Sequence, residues 1–190
     1  MLKIHDDFFE TRKLMQELRY KSLNYYIKQT KMNTVVDLGC GFSPRGLLFK
    51  DNPSINYIGI DLPAVINELR IAGNDMNYAT ADMTNLASLE EAIQSVTGTV
   101  IIITEGVLSY FTENELRIVI QNIRSLLHKH NGIWITPDFY NNDYVSAIMK
   151  PIFGDEQFEK INKLLQATKK KHTGTINFHS RAVKTWKILK

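Results

Sequence analysis

Five short apolar runs, several rich in Val and Ile, recur along the chain at 34–38, 57–60, 77–80, 99–103 and 132–136. Runs such as Val100-Ile101-Ile102-Ile103 show no polar alternation, which suits strands covered on both faces, as in a parallel sheet. The intervening segments read as helices. Ser43-Pro44 has the form of an N-cap followed by proline at the first helical position. Pro63 opens a second predicted helix that runs to about Ile71 and closes near Gly73. A third covers 85–96, with Leu86, Leu89, Ile93 and Val96 at helical spacing. The fourth is the clearest. Thr112-Glu113-Asn114-Glu115 is a capping-box pattern, Leu116, Val119, Ile120, Ile123, Leu126 and Leu127 line one stripe, and Gly132 ends the segment. Residues 6–31 read as helical, with Phe8, Phe9, Leu14, Leu18 and Leu23 as apolar positions. Residues 139–168 read as mostly helical, interrupted around Pro151 and Gly154.

Strands alternating with helices predict an α/β protein with an open, mainly parallel, doubly wound sheet of five or more strands and helices on both faces. A single domain is expected, in which a helical segment over 1–33 packs on a ligand-binding core over 34–190. With 190 residues and 44% hydrophobic content, the chain is long and apolar enough for one core. The formal charge of +3 does not indicate a nucleic-acid partner, and Lys169, Lys170, Lys171 and His172 read as a solvated turn before a phosphate-binding patch. One cysteine, Cys40, excludes an intrachain disulfide and a cysteine zinc cluster, and fits a reducing compartment. The N-terminus lacks the apolar core of a signal peptide, and no run approaches the ~18–20 residues of a membrane span. A cytoplasmic location without membrane association is the expectation.

In open α/β sheets, ligands bind outside the carboxyl ends of the strands. Those ends carry Asp37-Leu38-Gly39-Cys40-Gly41, Asp61-Leu62, Asp82-Met83, Glu105-Gly106 and Pro137-Asp138. Acidic groups at five successive ends are hard to attribute to packing, although one or two could be helix caps. The two glycines let the chain turn sharply and let a ligand approach the backbone. Asp61, 20 residues after Gly41, suits a carboxylate that accepts from ribose hydroxyls. A dinucleotide fingerprint requires a third glycine where this chain has Pro44. Asp37 would repel a pyrophosphate and attract the ammonium of a methionine moiety.

These residues look like the first motif of class I S-adenosylmethionine-dependent methyltransferases, carried by Val35-Val36-Asp37-Leu38-Gly39-Cys40-Gly41. Gly39-Cys40-Gly41-Phe42-Ser43-Pro44-Arg45, Asp61-Leu62-Pro63 and Glu105-Gly106-Val107-Leu108-Ser109-Tyr110-Phe111 are more narrowly similar to the leucine carboxyl methyltransferase family and its polyketide-associated relatives. The resemblance covers roughly residues 19–138. It implies a Rossmann-like fold and S-adenosyl-L-methionine as cofactor. Asp61 with Leu62 would then bind the ribose, Asp82 and Met83 would bracket the adenine, and Glu105 with Gly106 would lie near the methionine amino group beside the glycine loop. Arg19 matches the family arginine that holds the cofactor carboxylate, and alternatively reads as a surface helix residue. Arg45 either belongs to the motif's function or pairs with a nearby carboxylate. Tyr110 reads as facing substrate or as a core aromatic, and Tyr140 as a substrate contact or part of a polar loop. The fold normally ends with two strands forming an antiparallel edge. The tail over 178–190 reads as the helix before those strands, so the edge is expected to be missing or shortened. The chain would be truncated or naturally short, with a homodimer covering the exposed edge.

Methyl transfer from a sulfonium gains much of its rate from positioning. A carboxylate acceptor is already ionised and needs no base, whereas amines and phenols usually do. His5, His128, His130, His172 and His179 all lie outside the strand-end set, and His128 and His130 suit a helix C-terminus. No catalytic base is assigned. The first expectation is methylation of a carboxylate or other small-molecule oxygen acceptor. The second is a non-catalytic S-adenosylmethionine-binding module. A nucleic-acid methyltransferase comes third, because Glu105-Gly106-Val107-Leu108 stands where base amino-methylases carry an Asn/Asp-Pro-Pro-aromatic signature.

Overall fold

The computed structural model describes residues 2–73, 76–138, 151, 154 and 186–188. Its centre is a sheet of six strands: β1 (Thr34–Leu38), β2 (Asn56–Asp61), β3 (Tyr78–Thr80), β4 (Val100–Thr104), β5 (Ile133–Thr136) and β6 (Trp186–Ile188). They lie in the order β3-β2-β1-β4-β5-β6. The first five are parallel, with Val36 opposite both Ile58 and Ile102 at the centre of the sheet. That order defines a Rossmann-like sheet, and its topological switch point falls between β1 and β4.

The unbroken apolar character of the strands follows from cover on both faces. Side chains alternate across the sheet, so Val36, Ile58, Ile102 and Trp134 pack on one face while Val35, Tyr57, Ile101 and Ile135 pack on the other. Helices α4 (Leu86–Ala92) and α5 (Glu113–Lys129) cover the first face. Helices α1 (Leu2–Gln29) and α3 (Pro63–Ile71) contribute Leu23, Ile27, Ile66 and Leu69 to the second, and α2 (Arg45–Lys50) adds Phe49. Every residue of the expected α5 stripe is buried. Its capping box is complete: Thr112 Oγ1 accepts from the Glu115 amide, and the Glu115 carboxylate accepts from the Thr112 amide. One polar residue sits within that stripe. Asn122 donates from Nδ2 to the Met83 carbonyl at 2.9 Å, tying α5 to the loop after β3.

Helix boundaries shift by small amounts. α2 begins at Arg45 with Pro44 at the cap, and Ser43 Oγ accepts from the Arg45 amide at 3.3 Å. α4 ends at Ala92, so Ile93 and Val96 are buried just beyond it. The tail corrects one expectation. Residues 186–188 form a strand antiparallel to β5, with Trp134 opposite Ile188, not part of a helix. The shortened antiparallel edge therefore exists, and the β5 edge for which a homodimer was expected is paired by the chain itself. The helices expected over 139–168 and the Lys169–Lys171 cluster lie outside the described residues, apart from 151 and 154. Among the described residues, no helix is long and apolar enough to cross a membrane.

Candidate functional site

The loops at the carboxyl ends of β1 to β5 and the α1 residues Gln16, Glu17, Arg19 and Tyr20 enclose one cleft of about 1350 Å³. Asp37, Gly39, Cys40, Gly41, Arg19, Asp61, Leu62, Asp82, Met83, Glu105, Gly106 and Tyr110 all line it, so residues spread over 92 positions of sequence meet in one place. Tyr140 lies outside the described residues.

The glycine loop is shaped by two constraints. Gly39 has φ +67°, and a Cβ there would lie 2.4 Å from Val107 Cγ2, so the β1 loop packs against the β4 loop through that missing side chain. Gly41, with φ +51°, turns its amide onto Asp61 Oδ2 at 2.7 Å. The Gly39 and Cys40 amides both donate to the Ile60 carbonyl, at 2.8 and 3.1 Å. Asp61 Oδ1 accepts from the Leu62 amide at 2.7 Å. Each carboxylate oxygen keeps a further lone pair for a ligand hydroxyl. Asp82 is exposed and folds its own turn, with Oδ1 accepting from the Thr84 amide and hydroxyl, both at 2.8 Å. Met83 is 6% exposed and belongs as much to the core as to the cleft wall.

The loop after β4 is held from the next strand. Asp138 accepts three successive amides, from Gly106 at 2.6 Å, Val107 at 3.0 Å and Leu108 at 3.1 Å. Sequence reasoning placed Asp138 among the strand-end acids but gave it no role, because its partners lie some thirty residues upstream. The turn leads into a 3₁₀ segment (Leu108–Tyr110) that leaves Tyr110 85% exposed, which removes the core-aromatic reading of that side chain.

At the floor, the expectation for Asp37 needs correction. Its carboxylate is not held open for a ligand ammonium. Oδ2 accepts from Arg45 Nη1 and from the Tyr57 hydroxyl, each at 2.9 Å, and the residue is 1% exposed. Arg45 is fully buried and also donates from Nη2 to Glu105 Oε2 at 2.6 Å and from Nε to Asn24 Oδ1 at 2.9 Å. Burial pushes the Asp37 and Glu105 carboxyls above their ordinary values, and the Arg45 charge pulls each back; Arg19 also acts on Glu105 in that direction. Burial alone would lower Arg45, but Asp37 and Glu105 outweigh it and keep the guanidinium charged. Burial, then the nearby acids Asp37 and Asp61, push the Cys40 thiol well up, so it is an inert wall residue.

Two features set the chemistry of the cleft. Six backbone amides of its two central loops, at 39–41 and 106–108, are spent on internal acceptors. Carboxylates line the same walls, from Asp61 and Asp82 to Glu105. The cleft therefore favours a ligand that brings donors and positive charge over one that brings a pyrophosphate, which needs free amides. His128 and His130 lie at the far end of α5, in its last turn and at its cap, and neither lines the cleft.

No family model and no curated protein matches the chain. Among solved structures it is similar to an O-methyltransferase family protein from Burkholderia thailandensis, with 21% identity, 66% of this chain and 39% of that chain covered, and a TM-score of 0.45. An S-adenosylmethionine-dependent methyltransferase from Clostridium acetobutylicum gives 16%, 64%, 49% and 0.43 for the same quantities. The methyltransferase domain of bacterial CtHen1 gives 18%, 82%, 85% and 0.47. The chain spans less than half the length of the first two. The fold stands on the chain's own strand order and register.

Proposed function

We propose that this cleft binds S-adenosylmethionine and that the chain transfers the methyl group to an oxygen of a small-molecule acceptor, a carboxylate before others. The observation that carries the reading is the polarity of the walls: amide donors turned inward, carboxylate acceptors turned to the cleft. S-adenosylmethionine brings two ribose hydroxyls, an ammonium and a sulfonium, all of which such walls favour. Asp61 would accept from the ribose hydroxyls while its bonds to the Gly41 and Leu62 amides fix its rotamer. Asp82 and Met83 would flank the adenine, Glu105 beside Gly106 would take the ammonium, and Arg19 would take the carboxylate. Gly39, Cys40 and Gly41 would form the close backbone wall.

When bound, the cofactor supplies an electrophilic methyl group that passes in line from sulfur to the acceptor oxygen, leaving S-adenosylhomocysteine. The chain's own contribution is alignment, on the order of 7–11 kcal/mol when alignment is good. A carboxylate acceptor is already ionised at neutral pH and needs no proton removed, so alignment suffices for it. Tyr110, exposed at the mouth, is the candidate acceptor contact.

Calorimetric titration of S-adenosylmethionine and, separately, NAD into the purified chain tests the reading, with Asp61→Ala as control. Heat with S-adenosylmethionine only, lost in the variant, is expected and opens a screen of carboxylate acceptors for labelled methyl transfer. NAD binding, or no binding of S-adenosylmethionine, would overturn it.

A further inference from the structure

We propose that Arg45 is a positioning residue that turns Glu105 toward the ammonium of the bound cofactor and makes that orientation depend on the docking of α1. The inference rests on the cofactor reading above. Arg45 is 0% exposed, and its guanidinium meets three parts of the fold. Nε reaches Asn24 on α1, Nη1 reaches Asp37 on β1, and Nη2 reaches Glu105 just past β4. The Tyr20 ring, also on α1, lies with its centroid 4.9 Å from Cζ.

A buried arginine needs one carboxylate for charge balance, and Asp37 supplies it. The second carboxylate is therefore not required by the buried pair. Glu105 is also the more open partner, its side chain 17% exposed against 2% for Asp37, and it lines the cleft. A guanidinium is a rigid planar fork, so fixing Nε on Asn24 and Nη1 on Asp37 fixes the direction of Nη2. That direction sets where Glu105 Oε2 sits, and so which way Oε1 is offered to a ligand. Asn24 and Tyr20 belong to the same helix turns as Arg19, the residue expected to hold the cofactor carboxylate. The two ends of the methionine moiety are thus read by residues whose placement depends on one helix. Docking of α1 and binding of the amino-acid half of the cofactor become linked equilibria.

The test compares two ligands on the full chain: S-adenosylhomocysteine, and 5′-methylthioadenosine, which lacks the amino-acid half. Arg45→Lys keeps the charge but loses the fork. It is expected to weaken S-adenosylhomocysteine binding by about tenfold or more while leaving 5′-methylthioadenosine within about twofold. Asn24→Ala, which keeps both ion pairs, is expected to show the same selectivity at smaller amplitude. If Arg45→Lys fails to fold, Asn24→Ala carries the comparison. Hydrogen exchange at residues 19–29 should slow with S-adenosylhomocysteine and be unchanged by 5′-methylthioadenosine. Equal loss of both ligands in the variants, or an α1 whose exchange ignores S-adenosylhomocysteine, would overturn the positioning role alone. A wild-type chain that binds neither ligand would overturn the cofactor reading, and this inference with it.

Discussion

Asp37 in β1 and Asp61 at the end of β2 belong to neighbouring strands, yet the chain uses their charges in opposite ways. Asp37 lies under an arginine and a tyrosine hydroxyl, almost without solvent. Asp61 stays at the cleft surface, held only by two backbone amides. An amide neutralises nothing. A carboxylate held that way keeps its full charge and spare lone pairs for a ligand. The Asp37 carboxylate is balanced by a guanidinium instead, and burial closes it to a ligand. The floor of the cleft is thus a structural ion cluster, and its outer wall is the part equipped for recognition. Glu105 stands between them, tied to the floor by one oxygen and facing the cleft.

The sharpest way to break this contrast is to truncate the buried member. Asp37→Ala leaves Arg45 with Glu105 as its one carboxylate partner and the Tyr57 hydroxyl without its acceptor. It should cost about 3–5 kcal/mol in urea denaturation, the usual range for removing one partner of a buried ion pair, and the orphaned Tyr57 hydroxyl adds to it. A loss below about 1 kcal/mol would mean that the cluster is not sealed from water. Gly39→Ala follows. The positive φ alone costs about 1–2 kcal/mol, and the new methyl group would press on Val107. Thermal melting should show the loss. The ligand should bind less tightly too, because the β1 and β4 loops can no longer pack as they do.

The smallest effect is also the most specific. Burial raises the Glu105 carboxyl above its ordinary 4.5, with Arg45 opposing. The folded chain therefore holds a proton that the unfolded chain has released, and this group's contribution to stability falls as pH rises through that interval. Ammonium binding needs the ionised form, so affinity should climb over the same interval. Melting temperature and S-adenosylhomocysteine affinity, followed from pH 4.5 to neutrality, should slope in opposite directions; Glu105→Gln should flatten the affinity slope and reduce the melting slope to the part that Asp37, raised by the same burial, contributes. The capping-box carboxylate of Glu115 will not obscure this. Its hydrogen bonds to Thr112 lower it below 4.5, so its stabilisation is lost only as pH falls through that lower value.

What could be read from the sequence was what neighbouring residues decide among themselves. The α5 stripe and its capping box are set within a few turns of one helix, and the central strands announce themselves because burial on both faces makes them nearly continuous apolar runs. The five acids at the strand ends were legible as a set, since topology alone brings strand ends together. Their individual fates were not. Asp37 carries the same formal charge on paper whether or not Arg45 folds back over it, and Asn24, the third partner in that cluster, sits a helix away. Asn122 interrupts an apolar stripe with no local signal that the Met83 carbonyl awaits it. Three residues of edge strand at Trp186–Ile188 are too few to show a period, and only the open side of β5 gives them a reason to be extended.

Asp138 sets one further term for the cleft. Three successive amides converging on one point form the kind of concavity in which proteins trap phosphate and other free anions. In this chain the trap is filled during folding by a tethered side chain. Any chloride, phosphate or acidic metabolite must compete with an occupant whose effective concentration is at least about millimolar and which cannot diffuse away. The turn is thereby insulated from the anionic background of its surroundings, and keeps one shape across changes in salt and metabolite level.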